Sequence, residues 1–462
     1  MNKVIAIAGP SGVGKSTIAN LLNISYRKGE SLVISGDDLH RWERGDIRWE
    51  SYTHLNPLAN NIEKGIRDIQ ELREGKQIYR NVYCHKTGKF ERDVEILPKE
   101  YIIHEGLHAL YSGFSRASDL KIYVSTSNDL KIKWKIQRDM KKRGYSKEEV
   151  TKAINKRIPD EQQYILPQKQ KADLLIKFAE KDGIITLKFE KVTENPLSEE
   201  IISRVNDTYE NLCEFVNVSR DISIDKTLCL NAGGNMSYKQ SDKMIVTASG
   251  KDFSKIELFG GYVVVYDNEE KALPSSERPS MESPIHLLFE GCVLHAHPVY
   301  LNCFLCSVDA SKYINEMAQH LSITNYMIEE YISPGKELYS EIKHGILSKK
   351  PKIVFLKNHG IFVSSPTLRE CLEITKKINQ YCKEKLNKTS SSFIDYEEYD
   401  TYNSQIPLFP DSVVYESKNR VLNYYTYDNI VNSGMNPRYL SQKEITVINE
   451  MEEEKYRKGD KK

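Results

Sequence analysis

The chain of 462 residues has no run of 18 apolar residues, which excludes a helical membrane span. It has almost no net charge: 66 Lys and Arg against 65 Asp and Glu leave +1. No polyanion-binding surface is indicated, so neither nucleic acid nor membrane is an expected partner. Its eight cysteines form no regular framework, which suits a reducing, cytoplasmic setting. Cys303 and Cys306 have C-x-x-C spacing, but no second pair accompanies them and Phe304 and Leu305 lie between. They read as buried small hydrophobes. There is no internal repeat, and no low-complexity stretch beyond short polar ones such as 388–392. The apolar N-terminus lacks a signal-peptide layout and runs straight into a glycine loop, so it reads as structure rather than address. The length allows two or three domains.

What is present begins with Gly9-Pro10-Ser11-Gly12-Val13-Gly14-Lys15-Ser16-Thr17, which fits G-x-x-x-x-G-K-[ST]. It follows the β-branched run Val4–Ala8 and precedes helical apolar spacing over Thr17–Leu22. Gly9, Gly12 and Gly14 let backbone N–H groups, Ser11's among them, curl toward phosphate oxygens, and the helix N-terminus adds positive charge. Lys15 is placed to reach terminal phosphates and Ser16 to hold Mg²⁺. A second strand, Leu32–Ser35, leads into Asp37 and Asp38. In a parallel sheet this edge faces the glycine loop. One aspartate would accept a proton from a hydroxyl and the other would support Mg²⁺. A third strand, Tyr101–His104, ends in Glu105, a metal-ordering acid at a strand end. The basic stretch 129–142 has helical apolar spacing and carries Arg138, with Arg143 following. It fits a solvated face or a lid over nucleotide phosphates, and charge alone does not decide.

These stretches, with Ser35–Arg41, Thr53–Asn61, Tyr83–Gly88, Glu105–His108, Trp134–Met140 and Pro167–Asp173, resemble the phosphoribulokinase and uridine kinase family, nearer its phosphoribulokinase branch. The resemblance spans residues 1 to about 180. It implies a P-loop-type parallel sheet with helices on both faces and ATP-dependent phosphorylation of a sugar hydroxyl. Carried over by position, Asp37 or Asp38 is the base, Glu105 and Ser16 serve Mg²⁺, and Arg138 and Arg143 belong to the lid. His40, Arg41 and His85 approach the sugar phosphate. The segment 41–52 departs from the family pattern where that family touches its sugar, and the glycine loop carries no cysteine.

Pro196 and Ser198 prepare a helix from about Glu199 to Cys213, so a boundary is expected near residue 195. Beyond it, His295-Ala296-His297 ends an apolar strand, which places two imidazoles on one side. His359 ends another apolar run, 353–360. Three histidines with an open position are the arrangement of a catalytic Zn²⁺ site, or one for another divalent transition metal. The loops 231–237, 247–251 and 278–286 offer backbone N–H and hydroxyl donors suited to a phosphate monoester. Gly234, Asn235, Ser249, Gly250 and Ser280 are the candidate substrate contacts.

Loops and histidines together resemble the class II aldolase and adducin family over about 199–386. That implies an α/β/α domain around a mostly antiparallel sheet and a metal held by His295, His297 and His359 that polarises a carbonyl. A glutamate would move the proton on a ketose phosphate cleaved to dihydroxyacetone phosphate and an aldehyde. Glu282, with His286 four residues on, is the chosen acid; Glu277, in the literal Pro-Ser-Ser-Glu register, is the alternative. The same scaffold supports epimerases, dehydratases and non-catalytic adducin-like binding. The expected division is 1–195 kinase-like, 196–390 aldolase-like and 391–462 an extension packed on the latter, with a homo-oligomer formed through the aldolase-like part and small sugar phosphates as partners.

Overall fold

The structure is a computed structural model. It describes residues 1–85, 87–181, 184–230, 233–240, 242–258, 260–266, 277–390, 394–399, 406–414, 416–452 and 455, without the side chains of 141–143 and 416–419. The chain forms two compact units, residues 1–210 and 211–462. No helix among the described residues is long and apolar enough to cross a membrane.

In the first unit the strands are β1 (Lys3–Ala8), β2 (Ser31–Ser35), β3 (Ile78–Cys84), β4 (Lys89–Ile96), β5 (Tyr101–Glu105), β6 (Leu120–Thr126), β7 (Leu174–Lys181) and β8 (Ile184–Lys191). Six of them make one sheet in the order β2-β5-β1-β6-β7-β8. It is parallel up to β7, where β8 turns back antiparallel. Val4 to Ala8 are all buried, as a central parallel strand covered on both faces requires. The register sets Ile7 opposite Glu105 and Ser35 opposite Glu105, so the glycine loop, the end of β2 and Glu105 share one sheet edge. The hairpin β3–β4 stands outside this sheet. Nothing in the apolar pattern announces it, because most of its side chains are exposed or half-buried.

In the second unit the strands are β9 (Asn235–Gln240), β10 (Lys243–Thr247), β11 (Tyr262–Tyr266), β12 (Cys292–Ala296), β13 (Tyr326–Glu329), β14 (Ile353–Leu356) and β15 (Gly360–Ser365). Their order is β11-β10-β9-β12-β15-β14-β13. All neighbours are antiparallel except β13 and β14. The helix Lys336–Lys349 buries Leu338, Ile342 and Ile346 against Val293, Val354, Leu356 and Phe362. A single helix, Leu197–Ile224, covers the stretch expected as 199–213.

Two local readings change. The loop expected over 231–237 is strand from Asn235 onward, because Asn235 and Ser237 pair with His295 and Val293 of β12. The apolar run 353–360 is not one strand. The chain reverses after Leu356, with Asn358 left-handed at φ 56°, a conformation that asparagine tolerates better than most residues. His359 therefore sits on a turn between β14 and β15.

Candidate functional site

The first site lies at the sheet edge of unit 1. Gly9 has φ 148°, and a Cβ there would meet the Val124 carbonyl oxygen at 2.2 Å, so only glycine fits. The helix Lys15–Ser25 starts at Gly14 with no side-chain cap, which leaves its first N–H groups for an anion. Lys15 Nζ donates to the Pro10 carbonyl at 3.0 Å. Desolvation lowers the Lys15 pKa, while Glu105 and Asp37 pull it up. Ser16 Oγ donates to Glu105 Oε1 at 3.3 Å. A hydroxyl and a carboxylate brought together beside a lysine form a fitting donor set for Mg²⁺ on a nucleotide. Thr17 is half-buried in the first turn of that helix, and Ser11 and Gly12 sit on the loop.

The two aspartates part ways. Asp38 Oδ1 accepts from the Tyr83 N–H at 2.8 Å, and Arg80 Nη2 lies 3.4 Å from Asp38 Oδ2. Burial raises the Asp38 pKa against the lowering effect of Arg80 and that N–H. Asp37 instead faces His85, whose Nε2 is 3.2 Å from Oδ2, and His40, at 3.8 Å from Oδ1. Burial pushes Asp37 up, but the His85 hydrogen bond and the charges of His40, His85 and Lys15 outweigh it, holding this carboxyl well below the usual range. Two neighbouring carboxyls driven apart in this way take different roles.

His40 is buried, bonded to Asn60 at 2.9 Å and stacked on His54 beside Trp49. Arg41 is exposed and donates its backbone N–H to Ala59. Arg138 bonds Asp139 at 2.9 Å and contributes to the potential at Lys15. Arg143 ends the helix Asn128–Arg143, and its side chain lies outside the described residues. Lys135 was not singled out from the sequence. It is buried on that helix, and its Cβ would lie 3.4 Å from a Cβ at Gly12. Burial, with Arg157 and Arg138, lowers its pKa to about 7. Its signal was a lysine three residues before Arg138, on the opposite face of the same helix from the exposed cations.

The second site lies in unit 2. His295, His297 and His359 are buried, and their ligand nitrogens all lie within 4.8 Å of one another. His295 Nδ1 donates to the Ile361 carbonyl at 3.0 Å, and His297 Nδ1 is 2.5 Å from Asp411 Oδ2. With both Nδ1 protons so committed, the two Nε2 atoms are lone pairs, yet they face each other at 2.9 Å. Glu282 adds Oε2 at 3.3 Å from His295 Nε2 and Oε1 at 3.4 Å from His359 Nε2. Three imidazoles and a carboxylate converging in this way are a donor set that a divalent cation satisfies, so the residues fit a metal. Burial lowers the His295 pKa well below the usual range and takes His359 to about 3, keeping both rings neutral as ligands must be.

Glu282 is held by a polar string. Asn235 Nδ2 donates to Glu282 Oε2 at 2.8 Å, His286 Nε2 bonds Asn235 Oδ1 at 2.5 Å, and Ser237 Oγ bonds His286 Nδ1 at 2.7 Å. The register that pairs Asn235 with His295 puts this string beside the three histidines. Glu277 points elsewhere, to Lys251 at 2.6 Å. A cleft is lined by Gly233, Gly234, Asn235, Ser249, Gly250, Lys251, Ser280, Glu282, His297, His359 and Asp411, among others. The loops expected to grip a phosphate thus reach the same cleft as the histidines. Asn231, Ala232 and residues 274–276 lie outside the described residues. Cys303 and Cys306 are buried on and just after the helix Val299–Leu305, with both thiols pushed up by burial.

Comparison with known proteins decides the lineage. A model of the Phosphoribulokinase / Uridine kinase family matches residues 4–184, and one of the Class II Aldolase and Adducin N-terminal domain matches residues 213–386. A uridine kinase of Staphylococcus epidermidis is 32% identical over 179 residues, which are 37% of this chain and 86% of that protein.

The chain belongs, through its first unit, to the phosphoribulokinase and uridine kinase family.

A phosphoribulokinase of Synechocystis is 38% identical over 174 residues, 37% of this chain and 52% of that protein. The chain spans about half the length of the phosphoribulokinases it matches. The match to the class II aldolase and adducin domain model falls in the second unit. Among solved structures, the N-terminal class II aldolase domain of a Thermoplasma acidophilum protein aligns at 21% identity with a TM-score of 0.33, covering 38% of this chain and 92% of that one.

Proposed function

We propose that the chain is a bifunctional sugar-phosphate enzyme. Its first unit would transfer phosphate from MgATP to a hydroxyl of a sugar or sugar phosphate. Its second unit would make or break a carbon–carbon bond in a ketose phosphate, with dihydroxyacetone phosphate and an aldehyde as the other side of the reaction. The observation that carries the reading is the pair of imidazole lone pairs set 2.9 Å apart beside Glu282, at the floor of a cleft rimmed by glycine and serine loops.

In the first unit Asp37 takes the proton from the acceptor hydroxyl, and its low pKa keeps it ionised at neutral pH. Lys15 and the uncapped helix N-terminus neutralise the phosphates, and Ser16 and Glu105 hold Mg²⁺. Asp38 keeps Arg80 and β3 in place. His40, Arg41 and His85 face the acceptor side.

In the second unit a divalent transition metal, Zn²⁺ by its donor set, supplies Lewis acidity toward a carbonyl when bound. Glu282 moves the proton at the carbon beside that carbonyl, its orientation set by Asn235. Gly234, Ser249, Gly250 and Ser280 receive the phosphate, with Lys251 at the same rim. The fusion suggests that the kinase installs the phosphate which the second site grips. Assembly into a homo-oligomer in the reducing cytoplasm completes the reading, and light scattering on the purified chain checks the oligomer.

The test has two steps. Metal analysis of the purified chain should find about one transition-metal ion per chain. A screen of pentoses, ketoses and their phosphates with ATP should release ADP and then dihydroxyacetone phosphate. A chain that retains no metal supports an adducin-like scaffold instead. ADP release without any carbon–carbon cleavage supports an epimerase or dehydratase.

A further inference from the structure

The residues matched to the aldolase domain end at 386, yet its histidine cluster is held by two side-chain contacts with residues beyond that point. The first is with Asp411, on the buried helix Pro410–Val414, whose Oδ2 lies 2.5 Å from His297 Nδ1. The carboxylate is wedged: a Cβ at Gly233 would meet Asp411 Oδ2 at 2.3 Å and His297 Nδ1 at 3.1 Å, so the neighbouring loop packs directly over this pair. The second is with Arg438 and runs through Asn358, the left-handed residue just before His359. Its Nδ2 donates to the carbonyls of Leu408 at 2.8 Å and Arg438 at 2.7 Å, and its Oδ1 accepts from Arg438 Nη1 at 2.9 Å. Arg438 is itself fixed by its N–H on the Cys306 carbonyl at 2.7 Å.

We propose that two residues near the C-terminus are a built-in part of the metal centre, Asp411 as the positioning residue that makes His297 an Nε2 donor and Arg438 as the clamp that sets the turn carrying His359. The inference rests on the metal reading of the second unit. The physical case is direct. A carboxylate on Nδ1–H selects the tautomer, fixes the ring plane and raises the basicity of the other nitrogen. Among the described residues, the side-chain amide of Asn358, at positive φ in the turn, bonds only Leu408 and Arg438. Removing either contact leaves the ligand in place but its direction unset.

The experiment uses the full chain and titrates Zn²⁺ against a chromophoric chelator, with Co²⁺ absorption as a second readout of ligand geometry. Outer partners of metal ligands are typically worth about 10–100-fold in affinity. Asp411→Ala is expected to lose affinity in that range and to weaken or shift the Co²⁺ bands. Asp411→Asn, which keeps an acceptor oxygen but not the charge, should lose less, and it carries the test if the alanine chain does not fold. Arg438→Ala should lose affinity with the His297 tautomer intact. His297→Ala is the control for loss of a ligand. If Asp411→Ala and Asp411→Asn bind with the wild-type affinity and spectrum while His297→Ala does not, the proposal is overturned and the metal reading survives. If the wild-type chain itself holds no metal, both fall.

Discussion

The two sites of this chain are assembled in opposite ways. In the first unit the candidate phosphate-binding atoms come from one unbroken stretch, Gly9 to Thr17, with Glu105 and Asp37 brought to it by parallel strands. In the second unit no stretch is sufficient. His295 comes from β12, His297 from just past its end, His359 from a turn, Glu282 from the start of a short helix and Asp411 from the C-terminal segment. A site made from one loop depends on backbone N–H groups and tolerates change around it. A site made from five pieces depends on the contacts that align them, so residues that never touch substrate carry part of its geometry.

The largest expected effect separates the two sites outright. Glu282→Gln should lower turnover at the second site by about 10²–10⁴-fold and leave ADP release unchanged, as loss of a proton-moving carboxylate does. Glu277→Gln, whose carboxylate pairs with Lys251 instead, should stay within a few-fold. Steady-state rates of the two variants check this, and the reverse order would move the acid to Glu277.

The aspartates give the same contrast inside the first site. Asp37→Asn should cost about 10²–10⁴-fold in kinase turnover with little change in melting temperature. Asp38→Asn removes the charge partner of buried Arg80 and should cost about 1–3 kcal/mol of stability. Equal effects of the two on both readouts would contradict the division of roles.

The last effect is one of pH. Lys135 releases its proton at about 7 in the folded unit against an ordinary value of 10.5. Between those values the unfolded chain binds more protons, so this residue makes stability rise with pH; below about 7 both states are protonated and its full cost is present. Thermal melts of wild type and Lys135→Met from pH 6.5 to 9.5 should show a smaller gain in the variant. Parallel curves would show that Lys135 titrates normally.

Most of the fold was legible in the sequence, because buried parallel strands are apolar runs and the glycine loop has fixed spacing. The hairpin β3–β4 was not, since its side chains are largely exposed and no buried face imposes a period. The three histidines were legible as H-x-H plus a histidine before glycine. Their convergence was expected, but the geometry that achieves it was not legible, because it depends on the register of β12 with β9 and β15 and on a left-handed Asn358. Asp411 lies in the expected C-terminal extension, 391–462, but nothing in that stretch says that its carboxylate reaches back to residue 297. Of the two aspartates, only the contacts of Asp38 with Tyr83 and Arg80 tell which is tied down.

The central claim is that one chain carries two separable chemistries, and a single assay tests it. Wild type, Lys15→Met and His295→Ala would be given MgATP and each member of a sugar and sugar-phosphate panel, with ADP and dihydroxyacetone phosphate read in parallel. The account predicts that Lys15→Met loses ADP release by about 10³-fold yet still cleaves a ketose phosphate supplied ready-made, and that His295→Ala does the opposite. Loss of both activities in either variant, or cleavage that survives in His295→Ala, would contradict it.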